Sequence, residues 1–295
     1  MSSIHDGAAP GCTCPLHARR LFTGLLAGSP LFGPAWAQEG VQGDVGRTSR
    51  FTKLVPAEQV EGAAGEQYLT MLKEAGAKRA LAGPDHPQVQ RLRAIAQRII
   101  PFTPAWNSRA KQWRWEVNLL LTKELNAFCM PGGKIAFYYG ILQKLQLSDD
   151  EVATIMGHEV AHALREHARE RIGKTMATQG AIEIGAALFG WGNTGRTFAN
   201  IGGQLAVLKF SREDETEADI VGMELAARAG YDPGAGVTLW QKMLQASKGG
   251  QPEFISTHPA GDTRIKDIQA KLPRVQPIFQ RASRPERRYG PPPAA

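Results

Sequence analysis

Ser148–Arg169 reads SDDEVATIMGHEVAHALREHAR, and the HEVAH at 158–162 lies inside a stretch whose beginning is written as a helix start. Ser148 can cap exposed amide groups, Glu151 stands three residues on as the reciprocal half of a capping box, and Asp149 and Asp150 suit the positive helix end. At about 3.6 residues per turn, His158 and His162 fall one turn apart on one side, where two imidazoles can reach a single metal ion. Val152, Met156, Val160 and Ala163 point roughly the opposite way and predict a packed back, with the histidines facing a cleft.

The residue types suit zinc hydrolysis. Neutral imidazoles leave a zinc ion net positive, and that charge lowers the pKa of water toward neutrality. Glu159, beside the histidines, is the expected general base, taking a proton from water as it attacks a peptide carbonyl and passing it to the leaving amine. A catalytic zinc also needs a third protein ligand. The extended motif with a third histidine fails, because Arg165 and Ala168 stand where its glycine and histidine would be, so a carboxylate is expected. The helical stretch SREDETEADIVGMELAARAG at 211–230 places Glu215 and Asp219 one turn apart, with Ala218 and Gly222 small enough to let two helices approach closely. In this reading Glu215 binds zinc and Asp219 accepts the free ring N–H of His158. Glu213 and Glu217 have the same spacing on another face, and spacing alone leaves both pairs open.

Four motifs in order resemble metallopeptidase family M48, which includes HtpX-like, CAAX-prenyl-protease-like and periplasmic BepA- and LoiP-like zinc enzymes. They are NAFCMPGGKIAFYYGIL at 126–142, HEVAH at 158–162, ETEAD at 215–219 and STHP at 256–259. The resemblance covers about residues 119–265. It implies that Glu215 is the metal ligand and that Asp219 stands behind a ligand histidine, which decides between the pairs. It also implies that the strand Asn126, Ala127, Phe128, Cys129 and Met130 faces substrate. An edge strand suits that role because its backbone can pair with an extended polypeptide largely regardless of sequence.

Working outward, residues 1–37 read as an export signal. Arg19-Arg20 precedes a weakly apolar run, and Ala35-Trp36-Ala37 before Gln38 resembles a signal-peptidase site, so a twin-arginine signal and a periplasmic destination are expected. Cys12 and Cys14 would leave with that signal, and Cys129 alone excludes a disulfide framework. Residues 38–84 read as a linker with one helix at Gly65–Ala80, and His86, a cap or turn residue, opens a helix through Arg98. Trp113–Leu121 and Lys134–Tyr139 read as strands around the Pro131-Gly132-Gly133 turn. Thr175–Gly203, rich in small residues but interrupted by charges, is expected to be a hairpin that covers the cleft or touches membrane. His167 reads as a surface residue.

After Gly230, Tyr231-Asp232-Pro233 opens another helix, and the Ser256–Pro259 loop returns toward the cleft. His258 is expected there either to stabilise an oxyanion or to take the open zinc position and hold the enzyme inactive, and Arg264 to help the oxyanion or to form a structural ion pair. The chain carries a net charge of +7, and residues 273–295, with five arginines against Glu286, supply +4 of it. That Pro- and Arg-rich end reads as a disordered tail, and no nucleic-acid motif is present.

The expectation is an α+β, mainly helical zincin domain at 85–272, with a short β-sheet whose edge strand lies beside the active-site helix. It would bind one Zn2+ and act as a metalloendopeptidase on unfolded or misassembled envelope polypeptides, with peripheral contact to membrane or outer-membrane assembly machinery. A non-catalytic chaperone or adaptor with structural zinc, or a narrow maturation protease, are the alternatives.

Overall fold

The computed structural model describes residues 40–178, 209–248, 253–258 and 262–294. A small sheet lies at the centre. Strands Glu116–Leu120 (β1), Ala127–Met130 (β2) and Lys134–Tyr138 (β3) pair in the order β1-β3-β2, with β1 parallel and β2 antiparallel to β3. The β2–β3 turn requires its glycines: Gly132 and Gly133 have φ of 84° and 78°, and a Cβ on Gly133 would come 2.8 Å from the Trp115 ring. Beyond β1, Ala82 N–H donates to Leu119 O and Leu121 N–H to Ala80 O. The far side of β2 meets no further strand among the described residues.

Alternation along the strands sends residues to two cores. Phe128, Met130 and Ala136 meet Ala64 and Tyr68 of helix Ala57–Ala77 (α1), whereas Ala127, Cys129, Ile135 and Phe137 join the main core. Helix Pro87–Ile99 (α2) adds Val89, Leu92, Ile95 and Ile99 to that core at helical spacing, and its His86 side chain accepts the Gln88 N–H, the capping role expected of it. Helix Tyr139–Lys144 (α3) leads into Asp149–Leu164 (α4), where Ser148 and Glu151 form the capping box read from the sequence.

The remaining helices are His167–Thr178 (α5), Arg212–Arg228 (α6), Ala235–Ser247 (α7), Glu253–Thr257 (α8) and Asp262–Arg281 (α9). Ser211 and Asp214 give α6 a capping box too. Gly157 of α4 and Gly222 of α6 face each other so closely that a Cβ on Gly222 would lie 2.6 Å from the His158 backbone nitrogen, and one on Gly157 2.6 Å from Gly222 O. The two helices touch backbone to backbone, as the small residues of the second stretch predict.

Several expectations change. The first helix spans Ala57–Ala77, beginning eight residues before Gly65. The packed back of α4 is present, with Val152, Met156, Val160 and Ala163 buried, but burial extends around the whole helix from Glu151 to Leu164. The helix that carries HEVAH ends at Leu164, where Arg165 caps α4 and Glu166 takes a left-handed φ of 60°. Residues 273–294, part of the expected disordered tail, continue α9 to Arg281 and then reach the start of α4. Asp149 accepts the Tyr289 and Gly290 N–H groups and Asp150 accepts from Arg288, so the arginine-rich end is anchored there while its arginines stay exposed. At the other end, Glu224 of α6 accepts the Val41 N–H at 2.6 Å, and Asp44 pairs with Lys271 and Arg274 of α9. The expected export signal at 1–37 and all of the expected 175–203 hairpin beyond residue 178 lie outside the described residues. No helix among the described residues is long and apolar enough to cross a membrane.

Candidate metal centre

His158 and His162 come from consecutive turns of α4, Glu215 from the first turn of α6, and His258 from just beyond α8. Their ligating atoms lie within 4.8 Å of one another, and all four residues are buried. His158 Nε2 is 3.0 Å from His162 Nε2 and 3.5 Å from Glu215 Oε2, while His162 Nε2 is 3.4 Å from Glu215 Oε1. His258 Nδ1 stands 3.2 Å from His158 Nε2 and 2.8 Å from Glu215 Oε1.

These separations fit zinc. Zinc–nitrogen bonds of ~2.0–2.1 Å at tetrahedral angles put neighbouring donor atoms ~3.3 Å apart. Glu159 Oε1 is buried without a hydrogen-bond partner among the described residues and lies 3.5 Å from His258 Nε2. A buried, unpaired carboxylate oxygen at the edge of the donor group suits a base that waits for water.

The electrostatics agree with a neutral His162 imidazole and an ionised ligand carboxylate. Burial pushes His162 well below its ordinary 6.5, which keeps the ring neutral. Burial would raise Glu215, but the His258 charge and hydrogen bonds from His162 and His258 outweigh it and hold the carboxyl far below the usual range. Glu159 goes the other way: its burial prevails over the attraction of His258 and His158, and its pKa rises. Burial opposes a proton on His258, yet the Glu159 and Glu215 carboxylates prevail and raise it.

Behind His158 stands Asp219, whose Oδ1 lies 2.9 Å from His158 Nδ1. Arg264 grips the same carboxylate at 2.5 and 2.7 Å, donates to Glu215 Oε2 at 2.7 Å, and lays its guanidinium 3.7 Å over the Trp240 ring. Of the two roles weighed for Arg264, its geometry is that of the structural ion pair. The expected edge strand is β2 with Asn126 at its threshold, where Asn126 O accepts the Tyr138 N–H and its side chain accepts the Ala127 N–H. β2 packs against α4, and burial raises the Cys129 thiol well above its ordinary pKa, which leaves it protonated.

His167 corrects the sequence reading. It is 1% exposed, with Nδ1 2.8 Å from His162 Nδ1 and Nε2 2.8 Å from Glu217 Oε2. On an unbroken helix, a residue five positions after His162 would sit about 140° around the axis from it. The left-handed turn at Glu166 instead brings the ring back. Arg165 and Glu217 belong to the same group, and Phe210 stacks on His162 at 4.0 Å between ring centres. An interruption of helical polarity at Arg165-Glu166 was the available signal, but two charged residues rarely reveal a helix end.

Comparison with known proteins gives this constellation a lineage. The model of peptidase family M48 matches residues 87–272. The chain is 34% identical to mitochondrial metalloendopeptidase OMA1 of Schizosaccharomyces pombe over 65% of its own length and 55% of the relative's. It is 26% identical to metalloprotease LoiP of Escherichia coli, covering 60% of this chain and 70% of that one. The beta-barrel assembly-enhancing protease of the same organism is 25% identical, over 56% of this chain and 36% of the relative. The chain thus spans about half the length of the first mitochondrial relative.

Proposed function

The chain belongs to peptidase family M48, and from that premise we propose that it is a zinc metalloendopeptidase acting on unfolded or misassembled polypeptides of the cell envelope. One observation carries the chemistry: two imidazole nitrogens and a carboxylate converge within 3.5 Å of one another beside a buried, unpaired Glu159 oxygen. Zinc held by His158, His162 and Glu215 supplies a Lewis acid that polarises a peptide carbonyl and acidifies water toward neutral pH. Glu159 takes the proton of the attacking water and delivers it to the leaving amine, a task its raised pKa suits. β2, beside α4, pairs with no strand on its outer edge among the described residues, and an extended chain adding there would form a further strand. Asp219 and Arg264 hold His158 and Glu215 in place.

His258 favours the resting-state reading over the oxyanion one. Its Nδ1 faces the same centre as the three ligand residues, so once a metal took the place of its proton it would serve as a fourth donor until a substrate or partner displaced it. Support for the envelope comes from Arg19-Arg20 and Ala35-Trp36-Ala37, read as an export signal, and from an E. coli relative named for beta-barrel assembly. Cell fractionation of the full chain tests that location, and recovery in the cytosol would overturn it.

The zinc-loaded chain should cleave casein, and Glu159→Gln should cut at least about 100-fold more slowly while still binding one zinc. Equal cleavage by both would remove Glu159 from the mechanism. If neither cuts although both bind zinc, His258→Ala should release activity, and continued silence would overturn the broad peptidase reading in favour of a chaperone or a narrow maturation protease.

A further inference from the structure

His162 has two ring nitrogens and, in the metal centre just described, two obligations. Its Nε2 faces the other donors and must present a lone pair to a metal, so its Nδ1 must carry the proton. That proton needs an acceptor in a buried place. The atom at hand is His167 Nδ1, 2.8 Å away. Two imidazole nitrogens at that distance share one proton, so His167 Nδ1 must be unprotonated and its Nε2 must carry the hydrogen. That Nε2 lies 2.8 Å from Glu217 Oε2, an acceptor.

Beyond Glu217 the chain of bonds continues. Arg165 donates to Glu217 Oε1 through Nε at 2.8 Å and through a terminal nitrogen at 2.7 Å, and that terminal nitrogen also donates to Gly46 O at 2.5 Å. Every bond then runs in one direction, from the His162 N–H to the carboxylate. Phe210, stacked 24° from parallel on the His162 ring, fixes the plane of the imidazole, and the bond to His167 fixes its rotation within that plane.

An imidazole in this position also answers a problem of charge. Glu159, Glu215 and Asp219 already place three buried carboxylates around the site. A fourth, bonded directly to His162, would add like charge at contact distance. A neutral ring passes on the orienting hydrogen bond and keeps the Glu217 charge one ring further away.

We propose that His167, backed by Glu217, is a positioning residue for the metal: it holds His162 in the tautomer and orientation that bind zinc, without touching the zinc itself. The proposal rests on the metal-centre reading and is tested by affinity rather than turnover. Zinc dissociation constants of the full chain are measured by competition with a chromophoric chelator, alongside thermal melting of the metal-free proteins.

His167→Ala removes the acceptor and should weaken zinc binding about 10–100-fold. His167→Asn puts an amide oxygen where Nδ1 was and should recover most of that loss, although it cannot reach Glu217. Glu217→Gln keeps an acceptor for His167 and should weaken binding only a few-fold, roughly the lower end of that range. A merely structural histidine would change melting and leave affinity alone. The proposal fails if a folded His167→Ala binds zinc within about twofold of the parent, or if His167→Asn is as weak as His167→Ala. Should His167→Ala not fold, parental zinc affinity in Glu217→Gln overturns it. If the parent chain itself binds no zinc, the metal-centre reading fails first and separately.

Discussion

His158 and His162 sit one turn apart on the same helix, yet one leans directly on a carboxylate and the other reaches its carboxylate through a second histidine. His158 meets Asp219 at 2.9 Å, and Arg264 clamps that aspartate from behind. His162 meets His167, which meets Glu217, which Arg165 clamps in turn. Both supports end in a carboxylate of α6 paired with an arginine from another element, Arg264 of α9 or Arg165 at the end of α4, but they differ in exposure: the Asp219 side chain is 10% exposed and that of Glu217 is 23%. The shorter support is sealed inside the protein and shares its arginine with the ligand Glu215. The longer one runs to the surface beside Gly46, so it should be the cheaper of the two to cut.

The largest effect expected is that of Asp219→Ala, which strands Arg264 and His158 without their partner. It should cost roughly 3–5 kcal/mol in urea unfolding of the metal-free protein. Glu217→Ala, made on the better-solvated support, should cost about 1–2 kcal/mol. Equal losses would erase the distinction between the supports. Gly222→Ala acts on both at once by pushing α6 away from α4, with an expected loss of about 1–3 kcal/mol and weaker zinc binding. Its control is Gly65→Ala in α1, where the new methyl meets nothing within 4 Å and stability should rise by about 0.5–1 kcal/mol. A neutral Gly222→Ala would mean that the helices do not need their close approach.

The smallest effect separates the site from the scaffold beneath it. Burial raises the Tyr138 and Tyr231 phenols from 10.0 to about 12 and raises Tyr68 as well. Between those values the folded state keeps protons that the unfolded chain releases, so this stability is complete below pH 10 and is lost as pH climbs toward 12. Tyr68→Phe should lose about 1 kcal/mol near pH 8, for the bond to Ile135 O, and then fall less steeply in alkali. A parent chain whose melting temperature holds steady from pH 9 to about 12 would contradict this.

What could be read from the sequence were the features set by local spacing. The capping box of Ser148 and Glu151, the one-turn spacing of the histidines, the strands around Pro131-Gly132-Gly133 and the small residues beside Asp219 are all properties of a few consecutive positions. Choosing Glu215 over Glu213 needed the family resemblance, because residues one turn apart on any face look alike. His167 escaped because its role depends on a left-handed residue at Glu166, and glutamate carries no bias toward that conformation. The ends escaped for a related reason: a proline- and arginine-rich stretch has the composition of a disordered segment, and its docking partners for Arg288–Gly290, Asp149 and Asp150 among them, lie about 140 residues earlier.

That docking sets an order of events in synthesis. A ribosome that has reached Leu164 has already made both histidines, but Glu215, Arg264 and the Tyr289 and Gly290 amides that bind Asp149 do not yet exist. The zinc pocket is therefore written early and finished late. A nascent fragment carrying HEVAH alone holds two donors of a group whose others, Glu215 and His258, come later in the chain.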